Sequence, residues 1–472
     1  MSVRVRIADL SSDQKKQIAR ELLFQPKLTF FQKQKGISVD SIAFYLIQGE
    51  HIFLPYVYYG KMFNRHPNSW IQYPRYTFTF TGELLKHQIS IVNEAAQQMK
   101  QYGTTLLNVY TGCGKTVLSA FLSTKAQLKT LVLFNATILN SQWEDTFKTL
   151  TDAKVWVVDP SKKLPDYEPD IIICMTGRVN KIPEEWRRNV GTLIIDECHL
   201  LCTPTSVAPL LKFQPKYIIA CSATPTKASG MELMIQASIG THNVYRPLDK
   251  PFRVTEFRTG IVPLMPEGKT LSDFGDVMTS LSQNHDRNQQ ILQWVLSNPG
   301  RKILILTWRS EHARTLQKLI QSYGVKTAVM VGNNKSYSDS PVLVGGIKKI
   351  GTGFDEKSKC PDFSGMRINM LLLVGSMKDE NLLFQLAGRC FRSELPQIID
   401  FVDEVPFIKK SHWPTREAWY IRNGGIMDIF LAPGAEKKAV KKRAKKKVQQ
   451  SVEDAFLQET IEMIKYSMSS GK

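Results

Sequence analysis

Short apolar runs recur through the middle of the chain, each closed by turn residues and followed by a stretch of helical spacing: 105–109, 130–134, 155–158, 170–174, 193–196 and 217–220. The runs are apolar throughout rather than alternating, which suits parallel strands covered on both faces by crossover helices. A doubly wound α/β sheet is expected, with its ligands at the carboxyl ends of the strands. A stretch rich in Pro and Arg, 245–268, reads as a joint. The pattern then begins again with 302–307, 327–331, 341–344, 369–374 and 397–402. The fold class is therefore α/β, with two tandem domains expected at 76–247 and 248–410.

The flanks break this pattern. Residues 1–75 start with a polar, helix-capable segment and continue into aromatic patches, so a small β-rich accessory domain is expected there. Tyr56, Tyr58, Tyr59 and Phe63 offer rings to a core or to nucleobases; the core reading is preferred and no chemistry is assigned to them. From 411 to 472 the composition turns polar and cationic, which reads as a basic tail. Val452, Phe456, Ile461 and Ile464 near its end have the spacing of one short helix.

At 472 residues, 43% hydrophobic and 22% charged, the chain can fill several cores. No apolar run approaches the roughly 18–20 residues that span a bilayer, and the first residues lack the apolar stretch of a secretory signal. A soluble intracellular protein without a membrane partner is expected. Seven cysteines, an odd number without a Cys-x-x-Cys pair, read as buried thiols rather than disulfides or a zinc site. The net charge is +19, and residues 437–447 alone hold eight cations and no acid. A basic body with a basic tail points to a polyanion, most simply nucleic acid. The tail alone is equally readable as an import signal, a nucleic-acid arm or a solubility feature.

Candidate chemistry begins at 108–116. Gly112 and Gly114 sit in a turn between a strand and a helix, where backbone amides and the positive helix end cradle phosphate. Lys115 would reach the β and γ phosphates, and the Thr116 hydroxyl would ligate Mg²⁺. The full phosphate-loop pattern has Gly where Val109 stands. Asp196 and Glu197 end a buried strand, where carboxylates are costly unless a metal or partner compensates them. Asp196 fits a second Mg²⁺ contact, and Glu197 is placed to orient or deprotonate a water.

Gly112-Cys113-Gly114-Lys115-Thr116, then Asp196-Glu197-Cys198-His199, then 221–225 (Cys-Ser-Ala-Thr-Pro), then 385–392 (Gln-Leu-Ala-Gly-Arg-Cys-Phe-Arg) resemble, in this order, the superfamily 2 DExH-box helicases. The resemblance covers 80–405 and implies RecA-like domains. Lys86-His87-Gln88 is similar to the adenine-reading Gln motif. Ser141-Gln142-Trp143 and Asp286-Arg287-Asn288 look like the XPB/UvsW-type branch. Residues 350–355 and 385–394 are most similar to the transcript-release DNA helicases of poxviruses and related large DNA viruses, and 48–55 resembles that group as well. The resemblance implies an ATP-dependent DNA helicase or translocase with ATP and Mg²⁺ as cofactors, used in viral transcription termination and transcript release or in DNA repair. Its nucleotide site would hold Gln88, Thr111, Gly112, Cys113, Gly114, Lys115, Thr116, Gln385, Gly353 and Asp355, and its coupling residues would be His199, Ser222, Ala223 and Thr224. Loops at 135–137 and 307–309 would grip the sugar-phosphate backbone, although the family's Pro-Thr is replaced by Asn135-Ala136.

Gln385, Gly388, Arg389 and Arg392 are spaced to share one face of a helix. Arginine offers a rigid donor fork to phosphate, so that face suits a γ-phosphate held across a cleft; a solvated basic face is the plain alternative. Expected partners are DNA ahead of RNA and, through the resemblance, transcription machinery, with the protein a monomer or a loose assembly. Host cytoplasm, virion or nucleus is the implied compartment. An RNA-stimulated helicase and a non-hydrolysing nucleic-acid scaffold are the rival readings. A restriction-enzyme motor is disfavoured because no nuclease-like cluster stands out at the termini.

Overall fold

The computed structural model describes residues 1–25, 41–110, 112–135, 139–198, 204–222, 232–248, 250–351 and 354–432. The basic run 437–447 and the short helix expected after it lie outside the described residues. Five short strands open the chain: β1 (Ser2–Arg6), β2 (Leu23–Phe24), β3 (Ile42–Ala43), β4 (Leu46–Gln48) and β5 (His51–Pro55). β1, β5 and β4 form an antiparallel sheet, and β2 pairs with β3.

β6 (Thr104–Val109), β7 (Thr130–Phe134), β8 (Val155–Val157), β9 (Ile171–Met175), β10 (Thr192–Ile195), β11 (Tyr217–Cys221) and β12 (Val244–Arg246) build one sheet in the order β12-β6-β11-β10-β7-β9-β8. All its neighbours are parallel. Alternation along each strand divides the apolar residues between two cores, as the pleat requires. Leu131, Leu133, Leu193, Ile195 and Ile218 enter one core, while Val132, Phe134, Ile194 and Ile219 enter the other. Helices Lys86–Tyr102, Lys115–Ala126 and Leu139–Leu150 cover the second of these faces.

The first is lined by the helices Pro204–Leu211 and Glu232–Ser238, on which the N-terminal module packs. Val3, Phe44, Leu54 and Tyr56 share one continuous core with Leu131, Leu193, Phe213 and Met234. Asn68, fully buried, donates to the carbonyls of Ser2 at 3.0 Å and Pro215 at 2.9 Å. The module thus shares the first domain's core rather than forming a unit with its own. Tyr56 and Tyr59 are buried within it, in keeping with the core reading of the aromatic cluster.

β13 (Phe252–Arg258), β14 (Ile303–Thr307), β15 (Thr327–Met330), β16 (Val342–Gly346), β17 (Met370–Leu373), β18 (Gln397–Val402) and β19 (Gly425–Leu431) form the second parallel sheet, in the order β15-β16-β14-β17-β18-β13-β19. Two of these strands depart from expectation. β13 lies inside the stretch read as a joint; its Arg253, Glu256 and Arg258 hide a strand whose Phe252, Val254 and Phe257 are buried. β19 lies beyond residue 410, and so does the helix Trp413–Arg422 that packs beneath it.

That helix is integral to the second core. Arg416 grips Asp400 of β18 through two hydrogen bonds of 2.7 and 2.8 Å, with both side chains no more than 1% exposed. Tyr420 donates to the same carboxylate at 2.9 Å, and Phe252 packs against Trp419, Tyr420 and Phe391. The second domain therefore extends at least to Ala432, and the boundary expected at residue 410 is too early. Removing one partner of a buried ion pair costs about 3–5 kcal/mol. Arg416→Met is expected to lower unfolding stability by that order, and a chain ending at residue 432 to unfold cooperatively where one ending at 410 does not; thermal denaturation checks both.

Candidate active site

β6 ends at Val109, which pairs with Arg246 of β12 and is buried, so the position where the phosphate-loop pattern has glycine is here the last residue of a strand and requires no special backbone. The turn closes through Cys113 N–H donating to the Tyr110 carbonyl at 3.2 Å. Gly112 and Gly114 have φ of +98° and +94°, in the left-handed region where glycine is the ready residue. At Gly114 a Cβ would stand 2.5 Å from the Gln88 amide nitrogen. That nitrogen donates to the Cys113 carbonyl at 2.9 Å, while the Gln88 oxygen accepts from Leu85 N–H at 3.0 Å. Gln88 thereby ties the start of its own helix to the turn. Thr111 lies outside the described residues.

The acids stand opposite, at the end of β10. Asp196 is 7% exposed. Its Oδ2 accepts from the Trp143 indole at 2.8 Å and its Oδ1 from Glu197 N–H at 3.0 Å. Burial, then the neighbouring Glu197, raises its carboxyl above the usual range. Glu197 itself sits at φ +47° and accepts from Lys115 Nζ at 3.2 Å. Burial alone would lower the Lys115 ammonium, but Glu197 and Asp196 outweigh it and hold the amine above its ordinary value. Thr116 Oγ1 accepts from Gln142 Nε2 at 3.2 Å.

The second domain supplies the other wall. The helix Glu380–Ala387 carries Gln385 but ends before the arginines; Gly388 caps it and the chain continues in turns. The single helical face expected for Gln385, Gly388, Arg389 and Arg392 is therefore not formed. The turns nevertheless deliver Gln385, Arg389 and Arg392 to the same cleft. Arg389 is 7% exposed and donates to the carbonyls of Phe354 at 2.6 Å and Gly351 at 3.1 Å. Burial, then the neighbouring Arg392, pulls its guanidinium down to about 9. Among the described residues its Nε has no acceptor. Arg392 pairs with Asp355 and comes within 3.6 Å of where a Cβ on Gly112 would lie.

Gln88, Gly112, Gly114, Lys115, Thr116, Asp196 and Glu197 thus face Asp355, Gln385, Arg389 and Arg392 across one cleft of ≈ 970 Å³. Cys113 is buried beneath the turn. Ser222, also buried, follows β11, and its N–H donates to the Leu107 carbonyl at 3.2 Å. His199, Ala223, Thr224 and Gly353 lie outside the described residues. The cleft wall also includes Asn135, Gln142, Arg367 and Asn381, to which the sequence reading gave no role in the nucleotide site. For Gln142 a signal existed, because Ser141-Gln142-Trp143 stands out as a family mark; for Arg367 and Asn381 there was none.

Residues 81–227 match the family model described as "Type III restriction enzyme, res subunit". The chain is 25% identical over 421 residues to "Putative helicase 161L" of Invertebrate iridescent virus 6, covering 83% of this chain and 92% of that protein. It is 26% identical to a protein of Acanthamoeba polyphaga mimivirus named a "Putative ATP-dependent RNA helicase", covering 82% and 78%. These likenesses, along most of the chain, support its assignment as a superfamily 2 helicase. Among solved structures, a Saccharomyces cerevisiae Dbp5 variant bound to RNA and ADP BeF3 superposes with a TM-score of 0.51 at 12% identity, covering 72% of this helicase and 89% of Dbp5, a likeness of fold alone.

The cleft of this helicase fits a nucleoside triphosphate. It offers the turn of Gly112 and Gly114, the Lys115 ammonium and an arginine nitrogen that has no acceptor among the described residues, all suited to a polyanion. It also offers the hard oxygen donors of Thr116 and Asp196. Among the described residues no group of three His, Cys, Asp or Glu forms a closed metal cage. A hydroxyl and a carboxylate suit Mg²⁺, which completes its shell from phosphate and water. Gly114→Ala is expected to displace the Gln88 amide and strain the turn, with a stability loss of about 1–2 kcal/mol and weakened nucleotide binding, read by thermal unfolding and by titration of a fluorescent ATP analogue.

Proposed function

We propose that this helicase is a Mg²⁺-dependent translocase that hydrolyses ATP to move on nucleic acid, with DNA as its track and release of transcripts or remodelling of DNA as its task. The observation that carries the reading is the two-sided cleft, in which phosphate-holding groups of one domain face two arginines of the other. The XPB/UvsW-like and poxvirus-like motifs support the finer assignment, and relatives along most of the chain support its viral setting. Host cytoplasm is the compartment that this setting favours.

The charges in the cleft imply the sequence of events. Lys115 and Glu197 hold each other, and so do Arg392 and Asp355. A triphosphate seated in the turn takes Lys115 from Glu197, leaving that carboxylate to accept a proton from the attacking water. Mg²⁺ held by Thr116 and Asp196 would neutralise charge on the phosphate oxygens. Closure of the cleft lets Arg392 exchange Asp355 for the γ-phosphate, beside Arg389. Loss of that phosphate after hydrolysis returns both arginines to their own domain, so the cleft opens once per turnover. Ser222, with His199, Ala223 and Thr224, is proposed to pass the change to the strand-end loops.

A second reading replaces DNA by RNA, and the names of the mimivirus relative and of the African swine fever virus relatives, "Putative ATP-dependent RNA helicase", favour it. ATP turnover with single-stranded DNA, duplex DNA and RNA of matched length separates the two. Stimulation by DNA well above RNA is expected; stimulation by RNA alone would transfer the assignment, and no turnover with any of them would leave only a scaffold. Lys115→Ala is expected to abolish turnover while nucleic-acid affinity persists, and Arg392→Ala to lower turnover by about 10³-fold or more. Deleting 437–447 is expected to weaken DNA binding and flatten its salt dependence, since each duplex phosphate contact contributes about −0.9 to the log–log slope; an unchanged slope would assign the tail to targeting.

A further inference from the structure

The motif Ser141-Gln142-Trp143 has no part in the mechanism above, yet its side chains touch both residues assigned to the metal. Gln142 and Trp143 stand in the first turns of the helix Leu139–Leu150, which packs along the helix Lys115–Ala126. Gln142 Nε2 donates to Thr116 Oγ1 at 3.2 Å. Trp143 Nε1 donates to Asp196 Oδ2 at 2.8 Å. We infer that this helix is the frame of the metal site, with Gln142 and Trp143 acting as positioning residues that fix the Thr116 hydroxyl and the Asp196 carboxylate at one separation and orientation. The inference rests on the reading of Thr116 and Asp196 as the Mg²⁺ ligands.

The geometry is more specific than a packed core requires. An indole N–H is a donor with no acceptor capacity, so it can hold a carboxylate oxygen in one sense only. Trp143 is fully buried, and its ring stacks on Phe147 at 6.0 Å and 27°, so packing fixes the direction of that donor. Glu197 N–H takes the other oxygen of Asp196 at 3.0 Å, and together the two donors set the plane of the carboxylate. A buried tryptophan needs some partner for its N–H. Core packing alone, however, gives no reason for that partner to be the acid of the site while the preceding residue holds the hydroxyl. Adjacent helix residues point about 100° apart, so serving both ligands from one turn requires the helix to run between the phosphate turn and the end of β10.

Outer groups that orient metal ligands typically change metal affinity or activity 10–100-fold when removed. The test uses the full chain, with Mn²⁺ as the paramagnetic probe, titrated in the presence of a non-hydrolysable ATP analogue and followed by electron paramagnetic resonance. Nucleotide binding in EDTA serves as the metal-free control. Trp143→Phe keeps an aromatic ring and removes the N–H; Gln142→Ala removes the contact to Thr116 from a half-buried position. Each variant is expected to bind Mn²⁺ at least tenfold more weakly than the parent, with metal-free nucleotide affinity within twofold of the parent. Unchanged Mn²⁺ affinity in both variants would overturn the inference while the parent's own Mn²⁺ binding upheld the nucleotide site. Equal losses of Mn²⁺ and metal-free nucleotide binding would overturn it too, by making the helix a general support of the pocket. Should Trp143→Phe not fold, Gln142→Ala decides. A parent that binds no Mn²⁺ with nucleotide would remove the site reading and this inference together.

Discussion

A buried carboxylate sets the terms for the first domain. Asp196 directly follows a strand whose residues are all buried, and a carboxylate left there without compensation would cost several kcal/mol. The chain compensates it locally with an indole N–H and a backbone N–H, and at longer range with Lys115. The same arrangement draws the phosphate turn, the strand end and the helix Leu139–Leu150 to a single point. The parallel sheet makes this convergence unavoidable, because all its strands deliver their carboxyl ends, and the loops that follow them, to one edge.

The cleft balances its charges within each domain before it balances them between domains. Lys115 with Glu197, and Arg392 with Asp355, are pairs made inside one domain. Arg389 rests on two carbonyls of its own domain. A ligand that is strongly anionic along its length offers both sides a better partner at once. This is the physical ground for the proposal that the cleft closes on a triphosphate and opens after its hydrolysis. In the second domain the buried Arg416–Asp400 pair plays the corresponding structural part, anchoring a late helix and the edge strand β19 to the sheet.

Most of the parallel framework was legible because strands buried on both faces must be apolar at every position. The runs at 130–134 and 193–196 have that character, and each became a central strand with its residues divided between two cores. β13 was not legible for the converse reason. Its Glu256 and Arg258 form an ion pair with each other, and in the sequence alone such residues look like a linker. β19 and the helix before it were hidden by the cationic composition around them, although Trp413, Trp419 and Tyr420 bury their rings. The N-terminal module was expected as a separate domain because its pattern differs from the rest; its apolar residues turn out to complete the first domain's core.

The sequence by itself determined the repeated α/β pattern, the glycine-bracketed turn ahead of Lys115 and Thr116, the strand-end acids and the late arginines, since each is a local consequence of residue type and spacing. Only the tertiary structure decided which of them meet. Spacing placed Arg389 and Arg392 on a helix, but the helix ends at Ala387, and turns carry them to the cleft. Ser141-Gln142-Trp143 read as a family mark; the contacts of Gln142 with Thr116 and of Trp143 with Asp196 span 26 and 53 residues of chain. A donor's partner at that range depends on how helices settle on a sheet, and local pattern holds no record of it.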